Sequence, residues 1–250
     1  MVDHPLAILA LSFLGMWLAA WLGGAHLGRL LKLQELVRED FGLILAAALT
    51  LLGLIIGFSF SMATSRYDQR KNLEEAEANA IGTEYLRAEL LPAAQAAKVR
   101  AQLKAYADER VLFYVSREPS QVEEINARTA KLQAELWSSV RAAAAARTDP
   151  VMALVVSGMN DVLNSQGYTQ AAWWNRIPFA AWLLMAAIAV CCNVLVGYRA
   201  RDVKEEAVVL PVLPLVVSVS FFLIADIDSP RAGLIHVYPQ NLASLVAALK

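Results

Sequence analysis

The sequence predicts an all-α, polytopic membrane protein with four transmembrane helices and a large helical-bundle insert between spans two and three. Three observations carry this. First, the 250 residues are 58% hydrophobic and only 18% charged, with a mean hydropathy of +0.45, where a soluble domain carries roughly a quarter charged residues. Second, four apolar runs approach the ~20 residues that a helix needs to cross a bilayer. Third, the run Leu54 to Asn72 passes from apolar to charged with no proline or turn cluster between. The second helix should therefore leave lipid and continue into water.

The first span is read at about Leu6 to Leu22, with apolar residues running on to Leu31. No Lys or Arg precedes it, which is unlike a signal peptide. The second runs from Phe41 to Ala63, the third from Ile177 to Tyr198 and the fourth from Val208 to Ala225. The expected domains are 1–63 for the first two spans, 64–176 for the soluble insert, 177–225 for the last two spans, and 226–250 for a C-terminal tail.

The insert reads as helix throughout, because Ala, Glu, Arg, Leu and Gln dominate it. Leu73, Ala76, Ala80 and Ile81 are expected to continue the second helix as far as Leu91-Pro92. Pro92 then suits the opening of a new helix. Val99, Leu103, Tyr106, Arg110 and Phe113 recur at spacings of four and three, an amphipathic stripe. Glu118-Pro119-Ser120 marks a turn. Val122, Ile125, Thr129, Leu132, Leu136 and Val140 make a second stripe. Thr148-Asp149-Pro150 is a helix start, and Met152, Val155, Met159 and Val162 give the face of the helix it opens.

Several function classes find no support in the residues. A net charge of −1 gives no basic footprint for nucleic acid. Cys191 and Cys192 are adjacent, without the spacing of a disulfide framework or a zinc site. His4, His26 and His236 are scattered, and no phosphate loop or activated nucleophile is present. The expectation is no enzyme, no cofactor and no metal. No span holds Asp or Glu within its apolar stretch, which argues against a proton relay. The polar residues there are Thr50, Ser59, Ser61, Asn193, Ser218 and Ser220. They read as back-bonded or interhelical hydrogen bonders, or as pore lining.

Three groups of residues are functional candidates. Thr50, Leu54 and Phe58 share one face of span two. They form either a lipid-facing or core stripe, or a hydrophobic constriction that gates ions by dewetting. Gly53 and Gly57 make a Gly-xxx-Gly pair suited to close helix packing. Arg66, Asp68, Arg70 and Glu74 mark the exit of the second helix. They are either a solvated salt-bridged face or charges at a pore mouth. Asp226 and Asp228 form an acidic turn after the fourth span, read as a capping or docking turn.

Gly57-Phe58, then Arg66-Tyr67 nine residues after the glycine, then Asp68-Gln69-Arg70-Lys71, resemble the second-helix signature of bestrophins. Asp226-Ile227-Asp228-Ser229-Pro230 is similar to their acidic-proline stretch. A group of bacterial bestrophin-like membrane proteins carries strings much like Phe58–Ala63, Glu77–Thr83 and Asp228–Ile235, and that likeness covers essentially the whole chain. The resemblance implies a homopentameric ion channel in a bacterial inner membrane, its pore lined by span two. Phe58, Leu54 and Thr50 would then sit at the neck, Leu54 and Thr50 in place of bulkier residues. The acids of the calcium clasp are reduced to Asp226 and Asp228, so calcium activation is not implied. The partners implied are the lipid bilayer, inorganic ions and further copies of the chain. The alternative is a non-conducting scaffold or sensor whose insert binds a partner.

Loop charges read alone place Arg29, Lys32 and Arg38, with Arg199, Arg201 and Lys204, on the cytoplasmic side and the insert outside. The resemblance puts the insert in the cytoplasm, and both readings stay open.

Overall fold

A computed structural model describes residues 4–27, 35–147, 149–200, 208 and 210–249, with side chains described outside 26–27 and 35–40. Among these residues there is no strand. The helices are α1 (Pro5–Leu22, extended by a π-helical turn Gly23–Leu27), α2 (Glu35–Arg87), α3 (Ala93–Val115), α4 (Pro119–Ala146), α5 (Pro150–Trp174), α6 (Phe179–Arg199), α7 (Val212–Asp228) and α8 (Gln240–Ala248). Arg29, Lys32, Arg201 and Lys204 of the loop-charge reading, and Thr148, lie outside the described residues, as does the Arg38 side chain.

Apolar helical stretches long enough to cross a bilayer occur in Pro5–Ala25, Phe41–Leu90 and Pro150–Arg199. The charges that begin at Arg66 confine the apolar part of the second to its first half, Phe41 to Ala63. In the third, the apolar run is α6. α7 has 17 residues, about 26 Å of helix against a hydrocarbon core of about 30 Å. Its start falls at Val212, with Pro211 just before it and Pro214 in the first turn, where a missing N–H costs nothing.

The chain divides into two compact units, Met1–Arg66 with Arg176–His236, and Tyr67–Asn175 with Val237–Lys250. α2 passes from one to the other as a single helix of 53 residues, because nothing between Ala63 and Arg70 breaks helical geometry.

In the first unit α1 packs on α6 and α7. Glycines set the α1–α6 approach. A Cβ at Gly197 would run into the Ala20 carbonyl, and one at Gly23 into the Val194 carbonyl. Backbone thus meets backbone, the arrangement by which small residues let membrane helices close together. Trp182 of α6 stacks edge-on against Phe221 of α7, ring centroids 6.1 Å apart, and Phe41 of α2 lies 5.4 Å from Tyr198 of α6. Hydroxyls and amides inside these helices bond to their own backbone: Thr50 to the Ala46 carbonyl at 2.8 Å, Asn193 to Ala189 at 2.8 Å, Ser218 to Pro214 at 2.6 Å and Ser220 to Val216 at 2.9 Å. In a medium without water this keeps each donor satisfied.

The second unit is a helical bundle around one core. Val99, Leu103, Tyr106, Arg110 and Phe113 are all buried, as are Ile125, Thr129, Leu136 and Val140 and the face Met152, Val155, Met159 and Val162. Pro92 caps α3, Pro119 opens α4, and Asp149 caps α5 by accepting from the Met152 N–H at 2.8 Å. α2 carries Leu73, Ala76, Ala80 and Ile81 as one continuous helix, as expected. Ala76 is exposed, and the inward stripe is Arg70, Glu74, Glu77, Ile81, Glu84 and Ala88. That stripe has the 4-3 spacing of an apolar seam but is filled largely by charge, with Ala78 and Tyr85 buried beside it.

Candidate functional site

α2 presents two opposite faces in the first unit. Leu45, Leu52, Ser59 and Ala63 are buried against the rest of the unit. Leu54 lies about 200° around the helix from Leu52 at 3.6 residues per turn, and it is 53% exposed. Phe58, one turn on, is 61% exposed, and Thr50 is exposed one turn before. The three therefore line up on the face turned away from their own unit. Gly53 and Gly57 flank this face, and a Cβ on either would meet nothing within 4 Å. Among the described residues no neighbouring helix meets these two glycines; close helix approach falls to Gly23 and Gly197.

At the exit of the second helix the charges have fixed partners. Arg66 pairs with Asp228 at 3.3 Å. Asp228, itself buried, also accepts from the Ile177 N–H at 3.0 Å, so it ties α2, the start of α6 and the end of α7 together within the first unit. Asp226 accepts from the Leu234 and Ile235 N–H groups at 2.7 and 2.8 Å, folding the chain back after α7. Both carboxylates are enclosed and engaged, Asp226 by backbone donors and Asp228 by Arg66 and the Ile177 N–H, the pattern of a structural turn. Arg70 is buried and donates to the carbonyls of Ala172 and Asn175 at 3.3 and 3.4 Å. Glu74 is buried too, and accepts from Asn241 Nδ2 at 2.7 Å and the Leu242 N–H at 2.8 Å, pinning the start of α8. Of the four exit residues, Asp68 alone is exposed.

Sequence reasoning missed a buried polar knot. Glu77 accepts from Arg110 Nε at 2.5 Å, Thr169 Oγ1 at 3.1 Å and Tyr114 Oη at 3.4 Å, and both members of the ion pair are fully enclosed. Arg110 also lies over the Phe113 ring, 4.3 Å from its centroid. Burial lowers the affinity of Arg110 for its proton, but the Glu77 charge more than reverses this and holds it firmly protonated. Burial, then the same Glu77 charge, pushes the Tyr106 and Tyr114 phenols up. The signal was Arg110 itself: an arginine inside an apolar stripe requires a buried acid opposite it. Glu84 is the second missed residue. Among the described residues no three His, Cys, Asp or Glu side chains gather as a metal site would require.

An all-helical chain with three stretches long and apolar enough to cross a bilayer, joined to a charged helical bundle, is a membrane protein of the helical-bundle class. It belongs to the bestrophin-like family: the model of the bestrophin-like domain matches residues 6–242. Solved structures share the fold. A bacterial bestrophin homologue from Klebsiella pneumoniae is 17% identical, with a TM-score of 0.61 over 97% of this chain and 98% of that one. A single-substitution form of the same homologue is 15% identical, with a TM-score of 0.63 over 98% and 97%. A further structure, described as a membrane protein, is 15% identical, with a TM-score of 0.65 over 96% and 95%. No curated protein matches the chain.

Proposed function

We propose that this protein is an oligomeric, pentameric ion channel of the bacterial inner membrane, with four membrane spans and a pore lined by α2. Thr50, Leu54 and Phe58 form its neck, and the helical insert forms a vestibule. One observation carries the reading: the three residues lie on the side of α2 opposite the narrow stripe that its own unit buries, beside two glycines whose added Cβ would meet nothing among the described residues. Membership of the bestrophin-like family supplies the functional class. A ring of Phe58 side chains makes an apolar collar that excludes water, and so ions, when narrow. Because Thr50 gives its proton to the Ala46 carbonyl, it offers ions its lone pairs and methyl group rather than a donor. Arg70 and Glu74 are spent inside the subunit, which leaves Asp68 as the exposed one of the four exit candidates, placed to act on passing ions.

The test is ion flux through purified protein in liposomes, under separate chloride and sodium gradients, with Phe58→Ala alongside. The expected result is flux that Phe58→Ala increases, its ion dependence giving the sign of selectivity. A monomeric purified protein, or no flux from either form in well-folded oligomers, overturns the channel and favours the scaffold or sensor.

A further inference from the structure

Glu84 is fully enclosed in the second unit, and neither carboxylate oxygen has a hydrogen-bond partner. It sits roughly 30 Å along α2 beyond Ala63, well past the apolar run. Opposite it on α5 is Gly158, where a Cβ would run into the Glu84 carboxylate and the Arg87 side chain. The carboxyl is thus pressed against the α5 backbone at a glycine, which has no side chain to offer it a donor.

Arg87, one turn further along α2, is close enough to answer a charge on Glu84. It donates instead from Nη1 to the Leu154 carbonyl of α5 at 3.4 Å. The charged groups acting on Glu84 are Arg87 from its own helix and Asp161 from α5. A buried carboxylate without a donor is among the costliest groups a fold can hold; its proton removes the charge and so the larger part of that cost. Burial accordingly pushes the Glu84 pKa up to about 8, with Arg87 opposing and Asp161 adding to the rise.

We propose that Glu84 is a buried proton-binding site that keeps α5 seated on α2 while protonated. When the proton leaves to solvent, the new carboxylate draws Arg87 away from the Leu154 carbonyl. That removes a bond between α2 and α5 and leaves a charge to be hydrated, so the contact around Leu154, Gly158 and Asp161 loosens. The site is independent of conduction, since it needs neither a pore nor a particular ion. The sign follows from linkage. A group whose folded pKa lies above its unfolded value stabilises the native state fully below that unfolded value, here 4.5, and the stability is lost as pH rises through about 8.

The experiment is an infrared titration of the full-length purified protein between pH 5 and 9, following the carbonyl stretch of protonated carboxyls. Amide hydrogen exchange in α5, corrected for intrinsic rates, is followed over the same range. A protonated carboxyl at pH 7 that titrates near pH 8 and is missing from Glu84→Gln is the expected result, with exchange in α5 rising together with its loss. Two further variants keep the test decisive if Glu84→Gln fails to fold. Arg87→Gln should move the midpoint to higher pH and Asp161→Asn to lower pH. Absence of a protonated carboxyl at pH 7, or a midpoint that ignores both neighbours, overturns the proposal. So does α5 exchange that is unchanged through the titration.

Discussion

Removing either partner of the buried Glu77–Arg110 pair should unfold the second unit far more readily than removing both. Each side chain is fully enclosed, and the Nε to Oε1 distance is 2.5 Å. Glu77→Leu leaves a guanidinium in the core with its main acceptor gone; Arg110→Met leaves a carboxylate with only Thr169 and Tyr114 as donors. Breaking such a pair from one side costs about 3–5 kcal/mol, whereas replacing both partners with apolar residues of similar volume is often near neutral. For a chain of this size each kcal/mol moves Tm by about 2–4 °C, so either single variant should lose on the order of 10 °C. The double variant Glu77→Leu/Arg110→Met should recover most of that loss. Trp173 reports the event locally, because its ring packs against Phe113 and Tyr114 with centroids 4.9 and 5.5 Å away. Thermal unfolding followed by near-ultraviolet circular dichroism is the assay. If the losses simply add in the double variant, the single-variant cost comes from lost packing and not from an orphaned buried charge, and the reasoning fails.

Two further outcomes follow from the packing of the first unit. Gly197→Ala should lower stability by about 1–3 kcal/mol through overpacking, since the new Cβ meets the Ala20 carbonyl. Gly53→Ala and Gly57→Ala should leave subunit stability unchanged or raised by up to about 1 kcal/mol through helix propensity; thermal unfolding in detergent compares the three. Asp226→Ala orphans the Leu234 and Ile235 N–H groups at a cost of about 3 kcal/mol. Tryptic cleavage after Arg231 should become markedly faster.

Much of the architecture was legible because it rests on local rules. Long apolar runs need a bilayer or a core, so α1, the first half of α2 and α6 announced themselves. Prolines 92, 119 and 150 marked helix starts because a residue without an N–H is tolerated at the cap or in the first turn and not in the helix interior. The 4-3 stripes of α3, α4 and α5 marked core faces, and even the bestrophin-like family was readable from short strings around Phe58, Glu77 and Asp228.

The inward face of α2 beyond Ala63 was not legible, because charge fills the positions where periodicity seeks apolar residues. Arg70, Glu74, Glu77 and Glu84 look solvated in one dimension. Only tertiary structure brings them carbonyls of α5, N–H groups of α8, Arg110 of α3 or the bare backbone at Gly158, partners far away in sequence. The same holds for the glycines. Gly53 and Gly57 carry the recognisable spacing, yet in the subunit close packing falls to Gly23 and Gly197, which are set by the α1–α6 crossing. Sequence by itself determined which segments are helical and which are apolar enough for a bilayer, since those properties belong to each residue and its near neighbours. Tertiary structure decided which charges are buried and which glycines are contacts, since both depend on what a distant segment brings within a few ångströms.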